Sequence, residues 1–149
     1  MRTHHLKFVA LALILGATAV ALAANVHFNS ASAKLDEENL DVSFKISGLG
    51  NNQTITVTAS CTATANYECI NGGGKNPVAA NKEQVIADLS VSGDFTSDKN
   101  GTVTGTLTIE PPPATLVCPN GQRLVFRSVS YDNVSVSAGS ASEDISGSF

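Results

Sequence analysis

Between Leu40 and Val136, apolar and polar residues alternate in successive segments, and this period of two does more than any other feature to limit what the chain can fold into. Side chains repeat on one face of a strand every second residue, so such a pattern builds half-buried strands and leaves no apolar stripe for a helix. In "LDVSFKIS" Leu40, Val42, Phe44 and Ile46 fall in one phase, against Asp41, Ser43, Lys45 and Ser47. "TITVTASCTATA" repeats the scheme, with Ile55, Val57, Ala59, Cys61 and Ala63 inward and a row of Thr and Ser outward. The intervening "GLGNNQ" reads as a tight turn, which makes these two strands a hairpin.

A second hairpin is expected from "EQVIADLSVSGDF", with Val85, Ala87, Leu89, Val91 and Phe95 in phase, and "TVTGTLTI", with Val103, Leu107 and Ile109 in phase. Asn100-Gly101 is the turn signal between them. A calcium loop over Asp98-Lys99-Asn100-Gly101 lacks its closing acid, because Leu107 stands at that position. In "QRLVFRSVSYDNVSVSA", Leu124, Phe126, Val134 and Val136 share one phase while Val129 and Tyr131 hold the other. One bulge between Ser128 and Asn133 is therefore expected. "NVHF" supplies a short edge strand through Val26 and Phe28, and residues 138–149, without an apolar period, read as a flexible tail. These elements define an all-β chain, an antiparallel immunoglobulin-like sandwich of about seven strands over residues 24–137. A membrane barrel would need apolar outward positions, and here they are Thr, Ser, Asp and Lys.

Before the sandwich stands "MRTHHLKFVALALILGATAVALA": Arg2 and Lys7, a short apolar run, then Ala21-Leu22-Ala23. This is the layout of a secretory signal peptide over residues 1–23, which predicts a secreted, extracellular product with no membrane insertion after processing. Loss of Arg2 and Lys7 with the leader leaves seven basic residues against thirteen acidic ones, a net charge near −6. Such a chain has no basic patch for nucleic acid. His4 and His5 depart as well, so only His27 remains, which argues against histidine triads and multi-histidine metal sites and points to a non-enzyme with no cofactor. An enzyme would have to use His27 with a nearby acid, or paired carboxylates from "LDEENLD". Tryptophan is absent, and only Tyr67 and Tyr131 could stack on a sugar.

Strand directions place the three cysteines. If the strand through Cys61 runs upward, "NYECINGGGKNPVAANK" and "PPPATLVCPNG" are both upper loops, which brings Cys69 and Cys118 to one end. A bridge there would close roughly 50 residues and stabilise by about 4 kcal/mol on a loop-entropy model. Cys61, eight residues before Cys69 in an extended strand, lies out of its reach and reads as an unpaired buried thiol. The alternatives are a Cys61 to Cys118 pairing and an exposed thiol that reacts or links two copies.

The same reasoning gathers segments 29–39, 66–81 and 111–121 at that end, and rigid sandwiches carry their binding groups on such loops. The candidate binding residues are Asp36, Glu37 and Glu38 from the first segment and Asn71, Gly72, Gly73, Gly74 and Lys75 from the second. Three adjacent carboxylates could hold calcium, although solvated charge is the simpler reading, and no metal is assigned. The expected role is structural, adhesive or ligand-binding, with an unknown protein or cell-surface ligand as partner and self-association also compatible. A secreted inhibitor presenting its disulfide-held loop is the alternative, and a small hydrolase is a more remote one.

"NVHF" after the cleavage site, the Leu49-Gly50-Asn51 turn before a Thr-alternating strand, and the Cys69 to Gly74 loop matched later by Cys118-Pro119-Asn120 carry a resemblance. The chain resembles small exported β-sandwich proteins of actinobacterial type that begin the same way and carry two spaced cysteines. That resemblance implies fold and export, and no activity. Cys61 is an addition to the pattern.

Overall fold

The computed structural model describes residues 25–75 and 81–149. The leader expected over residues 1–23 lies outside them. Seven antiparallel strands form: β1 (His27–Asp36), β2 (Asn39–Ser47), β3 (Thr54–Ile70), β4 (Lys82–Thr96), β5 (Val103–Ile109), β6 (Arg123–Ala138) and β7 (Ala141–Ile145). They make two sheets, three strands in the order β1-β2-β5 and four in the order β4-β3-β6-β7. The architecture is an all-β sandwich.

The expected phases place the core. Leu40, Val42, Phe44 and Ile46 of β2 are buried against Ile55, Val57, Ala59, Cys61 and Ala63 of β3, with Val103, Leu107, Ile109, Tyr131, Val134 and Val136 completing the cluster. Because the two apolar rows face each other across the sandwich, β2 and β3 belong to opposite sheets. The expected β2–β3 and β4–β5 hairpins are accordingly corrected to arches that carry the chain between layers. The true hairpins are β1–β2, turned at Glu37-Glu38 with Glu37 at φ 55°, β3–β4, and β6–β7.

The two arches lie side by side. The Leu49 amide donates to the Gly101 carbonyl at 3.1 Å and the Ser97 amide to the Gln53 carbonyl at 2.8 Å. Buried Ser97 also donates its hydroxyl to the Gly50 carbonyl at 2.6 Å and accepts the Gln53 amide at 2.9 Å. Gly101 adopts φ +73°, and a Cβ there would stand 1.7 Å from the Leu49 carbonyl oxygen. Asn100-Gly101 was thus a true turn signal, but the turn it marks joins two sheets.

Strand β6 carries two bulges where one was expected. Ser60 pairs with Ser135 but Thr62 with Asp132, which leaves an extra residue at Asn133, itself at φ 53°. Asn66 pairs with Ser128 but Tyr67 with Phe126, which leaves Arg127 over. One extra residue reverses the phase and the second restores it. Leu124, Phe126, Val129, Tyr131, Val134 and Val136 therefore all pair with inward residues of β3 or flank them.

The first and last described segments are also more ordered than their sequence suggests. Strand β1 runs through Asp36, so most of the expected loop 29–39 is strand. The expected loose tail contains β7, and beyond it Phe149 exchanges both backbone hydrogen bonds with Tyr131, at 2.8 and 3.0 Å. Ile145 and Phe149 pack against the core, whereas Glu143, two residues before Ile145 in the same phase, lies exposed, which hides the period.

The two sheets differ in height. Tyr131, paired with Ala63, reaches Glu38 and Ile109, which mark the upper limit of the three-stranded sheet. Beyond Ala63 β3 continues for seven residues to Ile70, flanked by β4 and β6. The four-stranded sheet thus projects about 20 Å past its partner.

Candidate functional site

A projecting sheet has an inner face with no opposing sheet to cover it. Here that face carries Ala65, Tyr67 and Cys69 from β3, with Val85 and Glu83 from β4 and Phe126 and Leu124 from β6. Ala65 and Cys69 are nonetheless fully buried, and the segment from Glu110 to Cys118 is fastened across this end. Its Pro111-Pro112-Pro113 run has no amide donors, so it cannot join a sheet ladder and must be fastened by other groups.

Three anchors hold this strap. The Tyr67 hydroxyl donates to the carbonyl of Pro112 at 2.6 Å, and the Tyr67 ring meets Phe126 edge-on with centroids 5.6 Å apart. The Glu83 carboxylate accepts the amides of Thr115 at 2.9 Å and Leu116 at 2.8 Å, together with the Thr115 hydroxyl. The Thr115 hydroxyl bond is the largest effect and burial opposes it; with the Leu116 and Thr115 amides added, the Glu83 carboxyl is held below the usual carboxylate range. Burial, then the charges of Glu38 and Glu83, raise the Tyr67 hydroxyl, which stays a donor. Last, Cys69 and Cys118 are bridged, with Cα atoms 5.5 Å apart and a sequence separation of 49.

The expected pairing of Cys69 with Cys118 is therefore present, and Cys61 is free and buried. Burial, reinforced by Asp88, pushes the Cys61 thiol up to about 11, so it is protonated and unreactive at neutral pH.

Loop residues 71–75 cap the same end. The Asn71 side-chain oxygen accepts the amides of Gly73 at 3.0 Å and Lys75 at 3.1 Å, and the backbone closes through Asn71 to Lys75 at 2.9 Å. Gly72, Gly73, Gly74 and Lys75 are exposed. The Asn81 side chain donates to Gln122 at 3.0 Å, tying this loop to the one after the strap.

Asp36, Glu37 and Glu38 do not join them. They sit at the β1–β2 turn, level with the top of the shorter sheet, while residues 71–75 lie past the top of the longer one. Among the described residues no group of three His, Cys, Asp or Glu side chains converges. His27 pairs with Ser47 at the opposite end of β1 and bonds the Asn25 carbonyl at 2.8 Å, far from the acids at 36–38.

The outer face of the projection is a polar ladder. Gln84 donates to Asn66 at 3.1 Å and Asn66 to Ser128 at 3.0 Å. Above them Glu68 is paired with Arg127, and Lys82 lies 4.0 Å away on its other side. A depression of about 440 Å³ opens here between β4, β3 and β6. Lower down, Thr56 bonds Asp94, Thr58 bonds Ser92 and Thr62 bonds Asp88, so these hydroxyls are spent on neighbours.

The sequence reading placed Tyr67 at this end within segment 66–81 but missed Glu83, Phe126 and Arg127 as parts of it. One signal was available: Glu83 shares the inward phase of Val85, Ala87 and Leu89, and a carboxylate in an apolar phase announces a partner. No known protein family, curated protein or solved structure matches this chain.

Proposed function

We propose that this chain is an exported, non-catalytic β-sandwich that works outside the cell by binding a protein or cell-surface ligand through its strapped end. The observation that carries the reading is where the exposed apolar side chains lie. Four large hydrophobic residues are exposed among those described, and three of them, Ile86, Val117 and Leu124, belong to the projection or its strap. Val117 is 86% exposed although it stands between Leu116, held by Glu83, and the bridged Cys118. An apolar group fixed in solvent in this way loses little entropy when a partner covers it. Leu124 pairs with Cys69 on the other side of the same disulfide.

The disulfide itself belongs to an oxidising compartment, in line with export. We read the fold as immunoglobulin-like in layout. Traced in chain order, its sheets have the layout of a constant-type domain except that β4 pairs with β3 in the second sheet instead of with β5 in the first. The resemblance to small exported proteins of actinobacterial type agrees with the same assignment. A secreted inhibitor is the second reading, favoured by Val117 alone, since a pinned apolar residue on a braced loop is how such proteins enter a target's cleft.

Capture of ligands from culture supernatant and from cell surfaces tests the proposal. Val117→Asp and Leu124→Asp should weaken capture by about tenfold or more with an unchanged unfolding midpoint. Thr58→Lys and Thr104→Lys, on the outer sheet faces, should leave it intact. The opposite pattern would move the binding surface to the sheets and end the assignment.

A further inference from the structure

A sheet edge exposes unpaired backbone groups, and proteins usually blunt such edges. Three of the four edges here are blunted. Strand β7 has five residues, β1 is interrupted by a register shift between Phe28 and Ser30, and β5 has seven residues with β4 packed beside it. The lower part of β4 is covered in turn, since Gly93 lies against Leu107 and Phe95 against Gly105. The upper part differs. From Lys82 to Ser90 the strand runs past the end of β5, with no proline and no break in its fifteen-pair ladder to β3. Among the described residues no backbone bond from outside the sheet reaches positions 82–90.

The outward residues of this stretch are Lys82, Gln84, Ile86, Asp88 and Ser90, all exposed, with Ile86 at 64%. We propose that β4 pairs antiparallel with β4 of a second copy of this chain, about a twofold axis at Val85, joining two four-stranded sheets into one of eight. The charges select the register. An antiparallel pair related by a twofold axis must match even with even positions to keep each face on its own side. An axis at Val85 sets Lys82 opposite Asp88 of the second copy, twice by symmetry. It also sets Ile86 opposite Gln84, so that the two Ile86 side chains become diagonal neighbours and cover each other. Moving the axis to Asp88 would oppose two carboxylates, and moving it to Ile86 would leave both charges without an opposite partner. Ile86 is counted in both proposals, but Val117 and Leu124 lie off this edge, so their variants test the ligand surface apart from the pairing.

Sedimentation of the purified protein across a concentration series tests this. A dimer is expected that weakens with added salt, because its ion pairs are exposed. Lys82→Asp and Asp88→Lys should each raise the dissociation constant by about tenfold or more, and the double exchange Lys82→Asp/Asp88→Lys should restore it. Lys82 also neighbours Glu68 and Asp88 accepts from Thr62, so thermal unfolding of each variant separates lost pairing from lost folding. Ile86→Lys, which touches no such partner, should weaken the dimer as well. Val117→Asp should leave it unchanged. A chain that remains monomeric at the highest concentration reached, or a dimer indifferent to both charge reversals, would overturn the proposal.

Discussion

Tyr131 reaches across the sandwich from β6 to donate its hydroxyl to the carbonyl of Glu38 at 2.7 Å, joining residues 93 apart in sequence. The ring is fully buried, and its bond satisfies the chain just before β2. Tyr131→Phe leaves that carbonyl without its donor and should cost about 1 kcal/mol, measured by denaturant unfolding. The same burial raises the Tyr131 hydroxyl from 10.0 to about 12. Only the unfolded chain ionises readily between those values, so stability is full below pH 10 and falls as pH rises towards 12. Cys61, raised from 9.0 to about 11, begins the same loss one unit earlier. In Cys61→Ala, alkaline destabilisation should therefore start later than in the parent.

Glu83 makes the strap sensitive to acid. Its carboxyl lies below the ordinary value of 4.5 because the folded strap bonds the charged form. The contribution is thus complete above 4.5 and disappears as pH falls through the lower folded value. Hydrogen exchange at Thr115 and Leu116, compared between pH 7 and pH 3, should show the two amides losing protection in acid. Glu83→Gln, which cannot accept as a carboxylate does, should show that loss already at neutral pH.

Gly105 is a packing glycine. A Cβ at this position would lie 2.5 Å from one atom of the Phe95 ring and 2.8 Å from one of Phe44, the two rings that meet edge-on at 5.0 Å. Gly105→Ala should destabilise by about 1–3 kcal/mol, since both rings are confined. Gly72, with nothing within 4 Å of its Cβ position, is the control: Gly72→Ala should change stability by less than about 0.5 kcal/mol. Thermal or denaturant unfolding of the pair decides the matter.

Non-reducing peptide mapping should recover Cys69 joined to Cys118 and one thiol, Cys61, that labels only after denaturation. Replacing both bridged cysteines by serine should cost about 4 kcal/mol through the unfolded chain. The loss should be accompanied by faster exchange along the strap, because only the Tyr67 and Glu83 anchors would remain.

Faces were legible in the sequence and partners were not. Leu40, Val42, Ile55 and Val57 announced their burial by alternation alone, since period two depends only on local geometry. Whether β2 pairs with β3 or packs against it depends on the far sides of both strands, and "GLGNNQ" suits a hairpin and an arch equally. Both phase breaks in β6 were visible, since Val129 and Tyr131 stand out of phase with the residues on either side; a single bulge could not have reconciled them. The bridge could be reached from strand direction. The height difference that separates Glu37 from Asn71 could not, because it depends on how far β3 outruns β2.

The Cys69 to Cys118 bridge has a mechanical consequence. The described chain begins near β1 and ends just past β7, one edge strand in each sheet, so tension between the two ends would peel the sandwich from both. The 49-residue span between the bridged sulfurs cannot lengthen, however far the rest unravels. That withholds about 170 Å of contour length from extension. A tether built from this protein would therefore stop short under load, with β4, β5 and the strap inside the covalent loop and kept together for refolding when the force is released.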